Sequence, residues 1–399
     1  MGFRRSSLET LVSAAWSGRR VLVTGHTGFK GSWLSLWLHS LGAEVTGFAL
    51  PPPTQPSLFE AARIGDVVRH IEGDVRDLAS LQRVVADLRP DVVFHLAAQP
   101  LVRLSYEEPV ETYATNVMGT VHLLEAVRQV PGVKAVVSIT SDKCYENREW
   151  VWPYRETDPM GGHDPYSSSK GCAELVTSAW RSSYFASEGP LLASARAGNV
   201  IGGGDWAVDR LVPDLVRAFE AGISPLIRSP NAVRPWQHVL EALGGYIMLA
   251  ERLLGGEREF ADGWNFGPAD EDARPVSWMV ERMRLAWGGG AGDALPDTGP
   301  RPHEAGLLRL DCSKARAALG WRPVLRLEQA LDWIVAWHKA IDAGEDARTV
   351  TLGQIEAYRH LAQASPAASR VIPDVRKEYA IPSEEGHHAQ ETGRGIHAA

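Results

Sequence analysis

The chain has 399 residues, 44% of them hydrophobic and 23% charged, with a formal net charge of −8. This balance suits a globular enzyme of one large or two modest domains, and it excludes nucleic acid and anionic membrane surfaces as natural partners. No run of roughly 18 apolar residues occurs, so no transmembrane helix is expected. Cys144, Cys172 and Cys312 form no C-x-x-C and cannot all pair, which points to a reducing cytoplasm.

The N-terminal MGFRRSSLET carries a myristoylation-like glycine and a pair of arginines, but Glu9 and the stretch 16–20 interrupt any apolar signal core. Residues 1–17 are therefore read as an extension. RVLVTG (20–25) predicts a first strand, followed by an apolar helix closing at Gly42 and a second strand over 44–50. GDVRD (73–77) precedes a helix over 78–89, and DVVFHLAAQ (91–99) predicts another strand. A long amphipathic stretch, 109–129, leads to a strand at 134–141. Strands alternating with helices predict βαβ units, an α/β Rossmann-like sheet of parallel strands, with the strand C-termini on one edge. The expected NAD-binding domain covers 18–200. The looser, Pro- and Gly-rich 201–365 is expected to bind substrate, with some segments able to return to the sheet. The polar segment 366–399 reads as a flexible tail.

TGHTGFKG places Gly25, Gly28 and Gly31 three residues apart between the first strand and its helix. A tight turn, close backbone approach and a free helix N-terminus make such a loop a pyrophosphate cradle. The second strand ends in Ala49 and Leu50, with neither an acid for a ribose hydroxyl nor an arginine for a 2′-phosphate, so these residues leave NAD and NADP open. Asp74 could accept from an adenine amino group or cap a helix. The small residues of HLAAQ (95–99) let a cofactor lie against the backbone.

DPYSSSKGCAEL puts Tyr166 and Lys170 on one face of a helix that starts at Asp164 and Pro165. An ammonium beside the phenol is expected to lower its pKa and make Tyr166 a base.

The glycine loop, a polar strand end and Y-x-x-x-K together resemble the extended short-chain dehydrogenase/reductases. VTGHTGFKGSWLSLWL, AAQPLVRLSYEEPVETYATNVMGT, TSDKCYENREWVW, RAGNVIGGGDW and RPWQHVLEAL resemble the CDP-glucose 4,6-dehydratases of that superfamily, over about residues 17–345. The likeness implies NAD as cofactor and CDP-glucose as substrate. It implies cofactor contacts from Gly25, Thr27, Gly28, Phe29, Lys30, Gly31, Asp74, Val75, Leu96, Ala97, Ala98, Gln99, Asn116, Tyr166 and Lys170. It implies substrate contacts from Arg103, Asn199, Arg234, Gln237 and His303, and no metal. Ser141 would hydrogen-bond the sugar 4-hydroxyl, Tyr166 would act as base with Lys170 as its partner, and Asp142 and Lys143 would be the elimination pair.

The implied reaction oxidises C4, removes water across C5–C6 and returns hydride to C6. It needs an acid at the C6 hydroxyl and a base at C5. Adjacent Asp142 and Lys143 meet both needs if both are neutral rather than an ion pair, with Asp142 kept protonated by burial. A nucleotide-sugar C4 epimerase would share the tyrosine and lysine but has no use for this acid–base pair. A non-enzymatic dinucleotide-binding regulator would need neither. The stretches 109–129 and 166–186 are expected to pair across a two-fold axis in a homodimer.

Overall fold

The computed structural model describes residues 15–288, 292–297, 299 and 306–364. The N-terminal motif, His303 and the 366–399 tail lie outside them, apart from Ala15, Trp16 and Ser17 of the extension. Five largely apolar runs and one exposed polar run, β3, form parallel strands: β1 (Arg20–Thr24), β2 (Glu44–Ala49), β3 (Arg69–Glu72), β4 (Val92–His95), β5 (Ala135–Ile139) and β6 (Leu191–Ala197). The second half contributes β7 (Asn199–Ile201), β8 (Leu226–Ile227), β9 (Val233–His238), β10 (Gly263–Phe266), β11 (Ala273–Pro275) and β12 (Leu295–Pro296).

Seven strands make one parallel sheet in the order β3-β2-β1-β4-β5-β6-β10. The order reverses between β1 and β4, and open parallel sheets bind ligands in the crevice outside such a switch point. Alternate residues of each strand feed opposite cores. Val21, Val23, Phe94 and Val137 pack on one face with Trp33, Leu36 and Tyr246; Leu22, Val93, Val136 and Leu192 pack on the other with Leu81 and Leu123. The Phe29–Ser40 helix is buried continuously from Gly31 to Leu38, because the Val239–Leu254 and Ala347–Ala364 helices cover its outer side.

The 109–129 stretch is helical but not uniform. Pro109–Tyr113 and Gly119–Arg128 are joined by a wide π-type turn at Ala114–Met118, which turns Asn116 inward. Beyond the large sheet, β7, β9 and β11 form a small sheet with its own core of Val212, Leu215, Trp236, Met279 and Leu331. The segment 239–266 nevertheless belongs to the large sheet, since its helix lies across β5 and β6 and β10 pairs with β6. No helix among the described residues is long and apolar enough to cross a membrane.

Candidate active site

Where β1 ends, Gly25 adopts φ +75°, and a Cβ there would stand 2.7 Å from the Ala97 nitrogen. Two strand ends across the switch point thus touch backbone to backbone. A Cβ on Gly31 would collide with the Gly25 carbonyl, so that glycine lets the helix close on the loop. Gly28 differs: its Cβ would meet only the Gly25 oxygen, at 3.4 Å, and otherwise point into open space. Gly28 also caps the Phe29–Ser40 helix with no side chain, and the first turn holds no acid, so its N–H groups and positive dipole are offered outward. This cradle fits a dinucleotide diphosphate. Thr27 Oγ1 anchors the loop by donating to Leu50 O at 2.9 Å.

Several residues expected at the cofactor have protein partners. Gln99 and Asn116 spend their amides on each other's surroundings: Asn116 Oδ1 accepts from Gln99 N at 2.8 Å and its Nδ2 donates to Ser169 Oγ at 2.8 Å, while Gln99 Nε2 donates to Thr112 at 2.9 Å. Both side chains therefore order the loop after β4. Asp74 accepts from Arg76 at both oxygens, from its backbone N–H and from its Nε, each at 2.8 Å, and that guanidinium lowers its pKa. Val75 packs on Gly119.

At the end of β5, Thr140, Ser141, Asp142 and Lys143 enter a cleft shared with Tyr166, Phe29, Lys30, Arg103, Asn199 and Arg234. Ser141 Oγ donates to Asp142 Oδ1 at 3.0 Å. Asp142 Oδ2 is buried with no hydrogen-bond partner, 3.1 Å from where a Cβ on Gly198 would stand. Gly198, at the end of β6, thus leaves the carboxyl its space. Burial pushes the Asp142 carboxyl up from its ordinary value, against the pull of Lys143, Ser141 and Arg234. Lys143 is half-buried beside it, and no ion pair joins the two among the described residues. A protonated acid is what this geometry favours.

The tyrosine departs from expectation. Burial pushes the Tyr166 phenol up to about 12, with a Ser141 hydrogen bond and Arg210 drawing it down. Lys170, one turn further along the same helix, donates to Ile139 O at 3.3 Å, and burial lowers it to about 8 although Glu174 opposes this. That bond takes one of the three donors of the ammonium and anchors the helix to the end of β5.

The rest of the cleft is cationic. Arg210, held by Asp205 at 2.9 Å, and Arg228 join Arg103 and Arg234 on the lining. Arg103 and Arg228 both donate to Asp209 Oδ1, at 3.0 and 3.1 Å. Lys30 is drawn down to about 7 by burial first, then by Lys170 and Arg210. Such a surface suits an anionic ligand such as a diphosphate. Gln237 does not reach it, because its amide donates to Phe266 O at 2.7 Å and ties β9 to β10. Arg210, Arg228 and Gly198 were missed from the sequence; GGGDW-x₂-DR hinted at Arg210 and the AGN stretch at Gly198, while nothing marked Arg228.

Comparison with known proteins follows this geometry. Residues 21–260 match the model of the NAD dependent epimerase/dehydratase family. The chain is 59% identical over 348 residues to the CDP-glucose 4,6-dehydratase of Salmonella typhimurium, covering 86% of this chain and 97% of that protein. It resembles the Thermus thermophilus UDP-glucose 4-epimerase solved in complex with NAD, at 25% identity and TM-score 0.68 over 79% of this chain and 98% of that one. The dTDP-glucose 4,6-dehydratase of Bacillus anthracis, solved with NAD, shares the fold at 22% identity and TM-score 0.68, over 83% of this chain and all of that one. By sequence and by fold, this chain belongs to the NAD-dependent epimerase/dehydratase family.

Proposed function

We propose that the chain is an NAD-dependent hydro-lyase that converts CDP-glucose to CDP-4-dehydro-6-deoxyglucose. The observation that carries this reading is the buried, unpartnered oxygen of Asp142 beside Lys143 at the mouth of β5. An epimerase working at C4 alone has no use for such an acid, and the 59% identity to a CDP-glucose 4,6-dehydratase supports the same choice.

When bound, NAD supplies the acceptor for the C4 hydride and its donor at C6. Gly25, Gly28, Gly31 and the N-terminus of the Phe29–Ser40 helix would hold its diphosphate. Ser141 orients the C4 hydroxyl and Tyr166 takes its proton; Arg210 is the cation that favours the phenolate. The resulting 4-ketone acidifies the C5 proton, which passes to Lys143. Asp142 gives its proton to the departing C6 hydroxyl, so water leaves with the charges balanced. Arg103, Arg210, Arg228 and Arg234 bind the nucleotide diphosphate, with Asn199 beside them.

The same reading places the enzyme in the cytoplasm, supported by three free cysteines. It also makes it a homodimer. Val110, Tyr113 and Met118 are exposed on one side of the 109–128 segment, and Leu175 on the helix packed beside it, an apolar face that a second copy would cover. The reading is tested by incubating the protein and NAD with CDP-, dTDP-, GDP- and UDP-glucose and weighing the products. Loss of one water from CDP-glucose with the nucleotide retained supports it, and inversion at C4 without loss of water restores the epimerase.

A further inference from the structure

We infer that the buried ion pair of Glu174 and Arg196 is a positioning unit that grips both flanks of Ser141–Lys143 and fixes them against the helix carrying Tyr166 and Lys170. This rests on the site reading above. Glu174 lies four residues beyond Lys170, one turn further along the same helix face. Its carboxylate accepts from Thr140 Oγ1, the residue before Ser141, and from Ser194 Oγ at 2.7 Å. Arg196, on β6, closes the pair at 2.8 Å. Its other amino group donates to Tyr145 Oη at 2.7 Å, two residues after Lys143, and Tyr145 Oη donates onward to Asn265 of β10 at 2.7 Å. Four elements therefore meet on one pair: the catalytic helix, the end of β5, β6 and β10.

Stability alone does not account for such a pair. Both side chains are buried, at 4% and 5% exposure, and removing two charges from water costs about as much as their attraction returns. What the pair supplies is direction. Its hydrogen bonds have fixed lengths and reach the residues just before and just after the reacting tripeptide. Glu174 also acts on Lys170. That amine is faced by Glu174 on its own helix, Cys144 from the turn after β5, His95 from β4 and Lys30 from the glycine-loop helix, and Glu174 is the carboxylate of the set.

The test measures kcat, KM and the pH profile of CDP-glucose dehydration for Thr140→Val, Tyr145→Phe and Glu174→Gln, with near-ultraviolet circular dichroism to confirm folding. Displacing reacting groups by a fraction of an ångström lowers kcat by about 10- to 100-fold, with KM within about twofold. Thr140→Val and Tyr145→Phe are expected to show this split. Glu174→Gln keeps the side-chain length but removes the anion that pairs with Arg196, and is expected to show the same split. Wild-type kcat in folded Thr140→Val and Tyr145→Phe overturns the inference, whether or not Glu174→Gln folds. Tyr166→Phe is run alongside: if that variant turns over normally, the site reading itself fails and the inference falls with it.

Discussion

Ser141 Oγ donates to one oxygen of Asp142 at 3.0 Å, while the other oxygen is buried without a partner. A carboxyl so placed is costly when ionised. Its folded-state pKa is raised above the ordinary 3.8, so the native state holds the proton more tightly than the unfolded chain. Below that ordinary value both states are protonated and there is no penalty. As pH rises from there towards the raised value, wild-type stability falls by up to about 1.4 kcal/mol per pH unit relative to a neutral side chain. Asp142→Asn should therefore be more stable than wild type at neutral pH, by about 1 kcal/mol, with the gap closing in acid. The same variant should lose dehydration. Thermal melts across pH and product mass measure the two halves; equal melting temperatures at all pH values would remove burial as the cause.

Gly28 separates cofactor binding from folding. An added Cβ meets little protein but enters the cradle. Gly28→Ala should melt within about 1 kcal/mol of wild type, the size of the backbone effect of that exchange, and bind NAD at least tenfold more weakly by fluorescence titration. Gly31→Ala, which collides with the Gly25 carbonyl, should lose stability as well.

The phenol of Tyr166 stands near 12 because it is buried, and Arg210 is a cation that draws it down. Tyr166→Phe should reduce the first oxidation by about 10²–10⁴, the range of acid–base groups. Arg210→Gln should raise the phenol further, so the acid limb of the oxidation rate should move to higher pH. Stopped-flow absorbance of reduced nicotinamide reports both. A limb that stays in place would assign Arg210 to binding alone.

Much of this was legible in the sequence, for reasons that are local. Glycines three apart after a strand, a tyrosine and a lysine four positions apart, and an apolar strand breaking into Ser141–Asp142–Lys143 are short-range patterns, and the elements around them follow from hydrophobic period. What was not legible depended on partners distant in the chain. The lowering expected of the Tyr166 phenol did not allow for its burial, which pushes it up, nor for the Ile139 carbonyl 31 residues before Lys170 that accepts from that amine. Gln237 sits in a motif that resembles a substrate contact, yet β10 claims its amide. Arg196, Arg210 and Gly198 lie in a stretch, RAGNVIGGGDWAVDR, whose pattern does not say what they touch, and their use appears only when β6 and the following loop fold against β5.

Lys143 lines the cleft beside Asp142, and its proposed role as the base at C5 has a direct test. Lys143→Met should still permit transient reduction of the cofactor by CDP-glucose, because oxidation at C4 precedes the need for a base at C5. It should stop water loss and block exchange of the C5 proton with deuterated solvent, followed by nuclear magnetic resonance. Exchange at the wild-type rate would make Lys143 a positioning cation and place the base elsewhere.

The central claim is that one bound cofactor takes hydride from C4 and returns it to C6 of the same sugar after water has left. CDP-glucose carrying deuterium at C4 tests it directly. The product should carry that deuterium at C6, located by nuclear magnetic resonance, with no net accumulation of reduced cofactor. Deuterium lost to solvent, or retained at C4 in an epimerised sugar, would contradict it.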